Sequence, residues 1–336
     1  MTTLLRVFLK VTKCGLTMCA IISLILLESC SSMDRTHYDE KPGILESIDD
    51  GLSDEISKIN ELHDQISDNH SYTIFHIRST KGDDITPCYM ESFDDALYIT
   101  FGNYTPTHDF ILKMFLDCEE VEFIIDDVQT DGYVFSLERE GIKTFKVKIV
   151  TDKDMSTTHE LVTAIMFGPN THVSDLNASD NKYGIVDHST LSNDNCEKQE
   201  VPTPNDPDGY LDISFQGIMI GNQLDKITDA VYTPPIEITV EPEETVRLSY
   251  HTGHYTEGVE SVAMILMLDW QPVQFQGKDF IHIKNDPKKV SYGILEITAP
   301  KERGKYELTS FAIADPYGDK WPIKCDLGYR ITLTVE

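Results

Sequence analysis

The sequence predicts a mainly β protein, built as two tandem antiparallel β-sandwiches that follow a signal peptide and a short helix. Two observations predict this fold class. From residue 72 onward, short runs rich in Ile, Val, Phe, Tyr and Thr alternate with Gly, Pro, Asn and Asp, the composition of strands and turns. Three short motifs of the first half recur in the second half in the same order. A length of 336 residues fits two domains that each bury a core.

The chain begins with the pattern of a signal peptide over residues 1–29. A positively charged start precedes the mostly apolar stretch 16–27, which is too short to span a bilayer comfortably. The positive charges come from Arg6, Lys10 and Lys13. This pattern predicts export from the cell.

The signal ends in Leu27-Glu28-Ser29-Cys30, which resembles the bacterial lipobox: an aliphatic residue, a small residue just before the cleavage point, and a cysteine that receives the lipid. The resemblance implies that Cys30 becomes the lipidated first residue of the mature protein, at the extracellular face of the cytoplasmic membrane. Because Glu28 is unusual at the middle position, ordinary cleavage and an uncleaved anchor stay open as alternatives.

A polar run over residues 30–44 predicts a flexible tether. Over residues 45–68, apolar side chains recur at three- and four-residue spacing, the period of one helix face. These side chains are Leu45, Ile48, Leu52, Ile56, Ile59, Leu62 and Ile66. The period predicts an amphipathic helix that docks on the first domain. A coiled-coil dimer is the alternative, although fewer than four heptads are present.

The first domain is predicted over residues 72–170 and contains seven candidate strands. They cover residues 72–79, 96–101, 109–116, 121–125, 133–137, 145–150 and 160–167. Seven strands in about a hundred residues are typical of an immunoglobulin-like sandwich and favour it over a barrel.

An internal duplication is the main indication of how the chain is organised. The matching segments are 102–105 with 253–256 (Gly-x-Tyr-Thr), 116–123 with 268–275 (Leu-Asp-x-x-x-Val-x-Phe), and 160–169 with 307–316 (Glu-Leu followed by Pro). A single match this short arises by chance, but three in the same order and at nearly equal spacing indicate one fold present twice.

The Leu-Asp-x-x-x-Val-x-Phe motif predicts a hairpin. A strand rich in Ile, Leu and Met ends at the aspartate, whose short side chain can bond nearby backbone amides in a turn. The Val and the Phe lie two positions apart, so they point to the same face of the returning strand and can both enter the core. We therefore interpret the repeated residues as fold determinants rather than as a binding or catalytic site.

The segment between the two copies, residues 171–209, is dense in Asn, Asp, Ser, Thr and Pro. This composition predicts a long acidic linker without a packed core. The second sandwich is predicted over residues 210–336, because Leu211, Ile213 and Phe215 then begin to alternate with polar residues, as in a strand with one buried face.

The cysteines leave two interpretations open. Four remain beyond the signal peptide and the lipidated Cys30: Cys88, Cys118, Cys196 and Cys325. In an oxidising exterior, Cys88 could pair with Cys118, and Cys196 with Cys325. The alternative is four thiols without disulfides, since unpaired cysteines are often buried.

The charge balance restricts the partners. With 57 acidic against 28 basic side chains and a formal net charge of −29, the chain repels a nucleic-acid backbone, so DNA and RNA are not expected partners. Cations are favoured instead. Asp206, Asp208 and Asp212 cluster oxygen ligands around a glycine, as calcium prefers. The spacing is not that of an EF-hand, so we expect an acidic, turn-rich linker and no cofactor, with a calcium site as the alternative.

His251 and His254 are a second candidate metal site, because two imidazoles three positions apart can bind zinc. No third ligand is evident, so we expect loop histidines without metal, with a zinc site as the alternative. In the first copy, Asn103 stands at the position of His254, so the histidines are not part of the shared fold. A loop that differs between two copies is still a reasonable place for a binding surface.

No catalytic motif is present, since neither Gly-x-Ser-x-Gly nor a P-loop occurs. The stretches at 110–117 (Phe-Ile-Leu-Lys-Met-Phe-Leu-Asp), 304–308 (Gly-Lys-Tyr-Glu-Leu) and 314–317 (Ala-Asp-Pro-Tyr), together with the lipobox, resemble a large group of poorly characterised exported lipoproteins of low-GC Gram-positive bacteria. The resemblance covers most of residues 72–336 and implies immunoglobulin-like domains at the cell surface.

The expected function is therefore a non-enzymatic lipoprotein, anchored in the cytoplasmic membrane, that binds another surface protein or a wall polymer. Two alternatives remain. One is a calcium- or zinc-dependent accessory protein that binds or hydrolyses carbohydrate, and the other is a passive structural spacer.

Overall fold

The computed structural model describes residues 73–79, 88–105, 108–173, 184–213, 215, 217–228, 234–253, 255, 258–318 and 325–336. The predicted signal peptide, Cys30, the tether and the amphipathic helix lie outside these residues. All described residues belong to one compact unit that runs from His63 to Glu336. Within them, no helix combines the length and the apolar character needed to cross a membrane.

The first sandwich is formed by two sheets. One has the strand order β1 (Thr73–Ser79), β3 (Leu97–Asn103), β9 (Gly141–Val150), β6 (Glu122–Ile125), β7 (Val128–Thr130). The other has the order β2 (Cys88–Tyr89), β11 (Ile185–Ser192), β10 (His159–Phe167), β4 (His108–Leu116), β5 (Glu119–Glu120), and β8 (Gly132–Leu137) also pairs with β4. Each of the seven strands that the sequence predicted over residues 72–170 is present.

The second sandwich repeats this arrangement. Its first sheet has the order β12 (Gly209–Leu211), β19 (Val290–Thr298), β15 (Thr245–Gly253), β13 (Gly217–Gly221). Its second sheet has the order β14 (Glu237–Val240), β22 (Ile331–Val335), β20 (Gly304–Ala314), β16 (Ser261–Leu268), β17 (Gln271–Pro272). Two further strands join this sheet: β18 (Phe280–Lys284) pairs with β16, and β21 (Cys325–Leu327) pairs with β20.

The two sandwiches share one topology, as the repeated motifs predicted. Strands β1, β3 and β9 correspond to β13, β15 and β19, and the order β2-β11-β10-β4-β5 corresponds to β14-β22-β20-β16-β17. Each copy also contains one parallel pair at the same place, β2 with β11 and β14 with β22. The prediction of an immunoglobulin-like antiparallel sandwich present twice is confirmed.

The aspartate of the Leu-Asp motif stabilises the predicted hairpin in both copies. Asp117 and Cys118 form a two-residue turn with φ of 57° and 66°, and Asp269 and Trp270 do the same with 50° and 67°. Turns with positive φ at both central positions match the twist of the strands they join. The interpretation of this motif as a fold determinant agrees with the geometry.

The same aspartates also bind the next repeated motif. Asp117 Oδ1 accepts a hydrogen bond from the backbone N–H of Glu160 (2.9 Å), and the Asp117 N–H donates to the Glu160 carbonyl (2.7 Å). Asp269 makes the same two bonds to Glu307, at 3.0 and 2.8 Å. The Leu-Asp and Glu-Leu motifs therefore recur together because they are bonded to each other.

Replacing Asp269 with Ala should lower the free energy of unfolding by about 2 kcal/mol, because the side-chain bond is lost and alanine tolerates a positive φ poorly. Asparagine keeps both an acceptor oxygen and a tolerance for positive φ, so Asp269→Asn should cost less than about 1 kcal/mol. Urea denaturation of the two variants measures the difference. Equal losses in both would contradict this role of the aspartate.

Each sandwich encloses its own hydrophobic core. The core of the first is rich in aromatic rings, such as Phe101 and Phe110 (centroids 5.0 Å apart) and Phe135 and Phe145 (4.7 Å). The core of the second is mostly aliphatic. The two cores correspond to the two domains expected from the length of the chain.

A third hydrophobic cluster, the joint cluster, lies between the β10-β4 sheet of the first sandwich and the β20-β16 sheet of the second. Its buried members are Ile111, Phe115, Cys118, Val162, Ala164, Met166, Val186, Ala263, Ile265, Met267, Trp270, Phe280, Phe311 and Ile313. Strands β4, β10, β16 and β20 are thus buried on both faces, which explains their nearly continuous apolar sequences. Because apolar surface this extensive is removed from water, the two sandwiches form one packed unit.

The predicted linker over residues 171–209 is wrong in part. Residues Ile185–Ser192 form strand β11, which pairs along β10 from Leu191 opposite His159 to Ile185 opposite Ile165. Its polar composition was misleading because His188 and Ser189 are buried rather than solvated. The first sandwich therefore extends beyond the predicted boundary at residue 170, whereas strand β12 begins close to the predicted start of the second.

Candidate binding site

The three aspartates considered as calcium ligands have different surroundings. Asp206 Oδ1 accepts a hydrogen bond from Lys284 Nζ (2.6 Å), Asp208 Oδ2 accepts one from the backbone N–H of Ile294 (2.9 Å), and Asp212 is exposed. Across the described ranges, no three His, Cys, Asp or Glu side chains form a group that could hold a metal ion. The calcium site stays a prediction.

The histidine pair is described only in part, because His254 lies outside the described residues. His251 is buried, and its Nε2 donates a hydrogen bond to the backbone carbonyl of Ile227 (2.7 Å). Burial lowers the pKa of His251, and this hydrogen bond opposes the shift only partly. The ring of His251 therefore serves the fold of the second sandwich, and a zinc site at His251 and His254 stays a prediction.

None of the four cysteines forms a disulfide. Cys88 belongs to the core of the first sandwich, whereas Cys118 belongs to the joint cluster, so the two side chains of the first predicted pair are in different clusters. Cys196 and Cys325, the second predicted pair, are half-buried thiols. The separate clusters argue against the pair Cys88 and Cys118, whereas the pairing of Cys196 with Cys325 stays a prediction.

Buried charges at the joint cluster link the two sandwiches. Arg330, only 1% exposed, donates from Nε to Glu307 Oε1 within the second sandwich (3.0 Å). Its other nitrogens donate to three backbone carbonyls of the first sandwich: Phe167 (2.9 Å), Gly168 (3.2 Å) and Thr171 (2.9 Å). Gly168 has φ +64°, and a β-carbon there would overlap Thr171 Oγ1 and approach Arg330 Nη1 to 3.1 Å, so glycine suits this position.

The first sandwich makes the equivalent contact in the opposite direction. His188 on β11 is the counterpart of Arg330, which directly precedes β22. Its Nε2 lies 3.0 Å from Glu160, the counterpart of Glu307. The same nitrogen lies 3.1 Å from the backbone carbonyl of Pro316 in the second sandwich. Each sandwich therefore presents a nitrogen-bearing side chain, Arg330 or His188, to the loop after the long central strand of the other. This reciprocity is the pattern of an isologous dimer interface, here within one chain.

Another buried ion pair lies at the hairpin of the first sandwich. Asp117 Oδ2 accepts hydrogen bonds from His159 Nδ1 (2.8 Å) and Lys153 Nζ (2.6 Å), and His159 Nε2 donates to the carbonyl of Asp154 (2.8 Å). Burial raises the pKa of Asp117 and lowers that of His159, but these hydrogen bonds outweigh it, so the pKa of Asp117 is lowered and that of His159 is raised. Asp117, Lys153 and His159 are thus engaged in hydrogen bonds within the first sandwich.

The burial of His282 predicts that the stability of the protein falls in acid. Its ring is 5% exposed, neither nitrogen has a hydrogen-bond partner among the described residues, and burial together with the charge of Lys278 lowers its pKa to about 4. An unfolded histidine has a pKa of about 6.5, so between these values the unfolded state binds more protons. Stability should therefore fall by about 3 kcal/mol as the pH falls from about 6.5 to about 4.

The variant His282→Leu should lack this part of the pH dependence. Urea denaturation at several pH values between 4 and 7 would measure it in both proteins. If the variant and the natural protein lose stability equally over this range, the assignment to His282 is wrong.

One surface of the second sandwich has the shape of a binding site. A groove of about 780 Å³ lies between strands β18 and β19, next to the segment that precedes β12. Its apolar side chains are Phe275, Phe280, Ile281, Ile294 and Leu295, and its charged side chains are Asp208, Arg247, Lys278 and Glu296. Polar side chains, among them Asn205, Gln274 and Gln276, complete the lining, so the groove presents both apolar and polar groups to a ligand.

The groove exists because the two copies differ after the Leu-Asp motif. In the first copy, Gly132 lies nine positions after Phe123. The chain between them continues the two-stranded ribbon of β6 and β7, and β6 crosses to pair with β9. In the second copy, Phe280 lies only five positions after Phe275, and a tight turn returns the chain directly into β18. This shorter spacing is visible in the sequence, and it is the signal that could have located the groove.

The comparisons with known proteins give no family. No protein-family model matches the chain, and no curated protein matches it significantly. Among solved structures, the periplasmic chaperone SfaE matches with 11% identity over 79% of this chain and 100% of that chain, at a TM-score of 0.21.

Two further solved structures are similarly distant. The E. coli chaperone DraB has 10% identity over 79% of this chain and 98% of that chain, at a TM-score of 0.22. The C-terminal domain of the Streptococcus agalactiae AgI/II polypeptide BspA has 6% identity over 78% of this chain and 100% of that chain, at a TM-score of 0.23. At these TM-scores, the similarities support no inference about function. What is established is the fold: two immunoglobulin-like sandwiches packed into one unit.

Proposed function

We propose that the chain is a non-enzymatic cell-surface lipoprotein, anchored through Cys30 at the outer face of the cytoplasmic membrane, that binds another surface protein or a wall polymer. The groove of the second sandwich is the single observation that carries the proposal. Its lining combines apolar side chains with polar groups and exposed charges. It also lies on a support stiffened by the joint cluster, which lowers the entropic cost of binding.

The buried ionisable groups support a role without catalysis. The carboxylates of Asp117, Glu160 and Glu307 each contact side chains of the fold itself, so none is positioned to exchange a proton with a bound substrate. An immunoglobulin-like fold of this kind is compatible with an interaction module.

Site-specific photo-cross-linking on whole cells tests the binding role. A photoreactive amino acid placed at Lys278, which is exposed in the groove, should give a discrete adduct with a partner. The same amino acid at Val134, which is 50% exposed on the first sandwich, is the matched control and should give none. Equal results at the two positions would contradict a binding role for the groove and favour a passive spacer.

The anchor is tested separately. Labelled palmitate should be incorporated into the natural protein and not into the variant Cys30→Ser. Incorporation that persists in the variant would mean that lipid attaches elsewhere, and the proposed anchor would be wrong.

A further inference from the structure

We propose that the groove binds its partner by β-strand addition: an extended segment of a partner protein, with apolar residues at alternate positions, pairs with the open edge of strand β19. This inference rests on the proposed function and specifies how the groove binds. The argument depends on what fills the same place in the first sandwich.

In the first sandwich, that place is filled by the chain's own strand β6. Glu122 to Ile125 pair with Val150 to Val147 of β9, and the side chains of Phe123 and Ile125 are 0% and 1% exposed. The pairing of β9 with β3 and of β19 with β15 makes Leu295 the counterpart of Val147. The stretch 295–298 is therefore the edge to which a strand equivalent to β6 would bind.

The second sandwich supplies no such strand in the part of the chain that is described. On that side of β19, strand β12 pairs only with Val290 to Tyr292. Phe275 corresponds to Phe123 and is present in the groove, but Gly277 stands where Ile125 would be and turns away at φ +82°. Among the described residues, the second copy thus has no counterpart of the Ile125 side chain and none of strand β6.

The backbone of β19 is oriented to receive a strand. The N–H of Ala299 donates to Glu244 on the β15 side (2.8 Å), whereas the N–H of Ile294 points to the opposite side and donates to Asp208 (2.9 Å). Because successive residues of a strand direct their N–H and C=O groups to opposite edges, those of Glu296 and Thr298 also point into the groove. A row of such groups is what an added strand binds.

The segment between the repeats already adds to both walls of the groove nearby. Asn205 donates from its N–H to the His282 carbonyl (2.8 Å) and accepts from the Lys284 N–H (2.8 Å), which extends the β18 edge. The chain then crosses and pairs with β19 as β12. An added strand would extend along the rest of β19 the pairing that β12 makes with Val290 to Tyr292.

A peptide with the sequence of residues 121–126 (Val-Glu-Phe-Ile-Ile-Asp), acetylated, amidated and fluorescently labelled, is the probe. It should bind the full-length protein in detergent, measured by fluorescence anisotropy, and a scrambled peptide should not. Amide hydrogen exchange at Glu296 and Thr298 should slow when the peptide is bound. An unchanged exchange rate at both amides would overturn the proposal, whatever the behaviour of any variant.

Two variants of one residue separate backbone pairing from side-chain contact. Glu296→Pro removes an N–H that points into the groove and not to β15, so the sheet should keep its internal hydrogen bonds and its melting temperature. This variant should weaken peptide binding by about tenfold or more. Glu296→Ala keeps the N–H and should bind normally. Equal weakening in both variants would mean side-chain recognition and would overturn strand addition.

The same variants distinguish failure of this inference from failure of the proposed function. If the adduct formed from Lys278 persists in Glu296→Pro, the groove binds a partner but not by strand addition. If Lys278 gives no adduct at all, the proposed function itself fails. An adduct within the chain or with a second copy would show that the protein fills its own groove, which contradicts a foreign partner.

Discussion

Replacing Arg330 with Met should lower the free energy of unfolding by about 3–5 kcal/mol, because the buried Glu307 would lose its guanidinium partner and keep only His172 Nδ1, 3.4 Å away, and Thr332 beside it. The side chains of Arg330 and Glu307 are 1% and 2% exposed, so water cannot replace the lost partner without opening the joint cluster. The three backbone carbonyls of the first sandwich that Arg330 binds would lose their donor as well. Urea denaturation followed by tryptophan fluorescence measures the loss.

The double variant Arg330→Met with Glu307→Met is the matched control. Removing both charges eliminates the buried carboxylate that lost its guanidinium, so the double variant should be more stable than Arg330→Met alone, although the bonds to the first sandwich stay lost. A double variant less stable than the single one, or a single variant within about 1 kcal/mol of the natural protein, would contradict this account of the joint.

Replacing Trp270 with Ala should also lower the free energy of unfolding by about 3–5 kcal/mol. The indole Nε1 donates to the backbone carbonyl of Pro169 in the first sandwich (2.9 Å), and the ring lies 5.2 Å from the guanidinium carbon of Arg330. The ring of Phe167 makes a second cation–π contact with the same guanidinium, also at 5.2 Å. Trp270 thus holds the joint by packing, by one hydrogen bond and by its contact with Arg330.

Trp270→Phe separates these contributions. Phenylalanine keeps an aromatic ring in the joint cluster but has no N–H donor, so its loss should be about 1–2 kcal/mol. Differential scanning calorimetry should also show one transition in the natural protein and two partly separated transitions in Trp270→Ala, because each sandwich retains its own core. A single transition in Trp270→Ala, with unchanged enthalpy, would contradict the role of this residue in coupling the sandwiches.

Local chemistry was sufficient to predict the sandwich class, the strands of the first copy and the duplication. The hairpins at Asp117 and Asp269 were predictable because their turn depends on residues close in sequence: an aspartate that ends an apolar strand, and a Val and Phe two positions apart on the return. Alternation and turn composition need no knowledge of distant partners.

The acidic segment between the copies was predicted less well. Composition alone does not distinguish a solvated polar residue from a buried one, because burial depends on the residue's partners in the fold. The partners of His188 are Glu160 and the Pro316 carbonyl, 28 and 128 positions away in the sequence. The same limit applies to the cysteines, because pairing depends on which cluster each side chain enters.

Sequence pattern was therefore enough to establish the architecture of each sandwich, since periodicity and turn residues act over a few positions. How the two sandwiches meet, and where one of them remains open, depended on contacts between residues far apart in the chain. The contacts of Arg330 with the carbonyls of Phe167 and Gly168 are of this kind, and so is the β19 edge, which no described strand covers as β6 covers β9. A strand's neighbour across a sheet or across an interface is chosen by complementarity of whole surfaces, and no short segment contains that information.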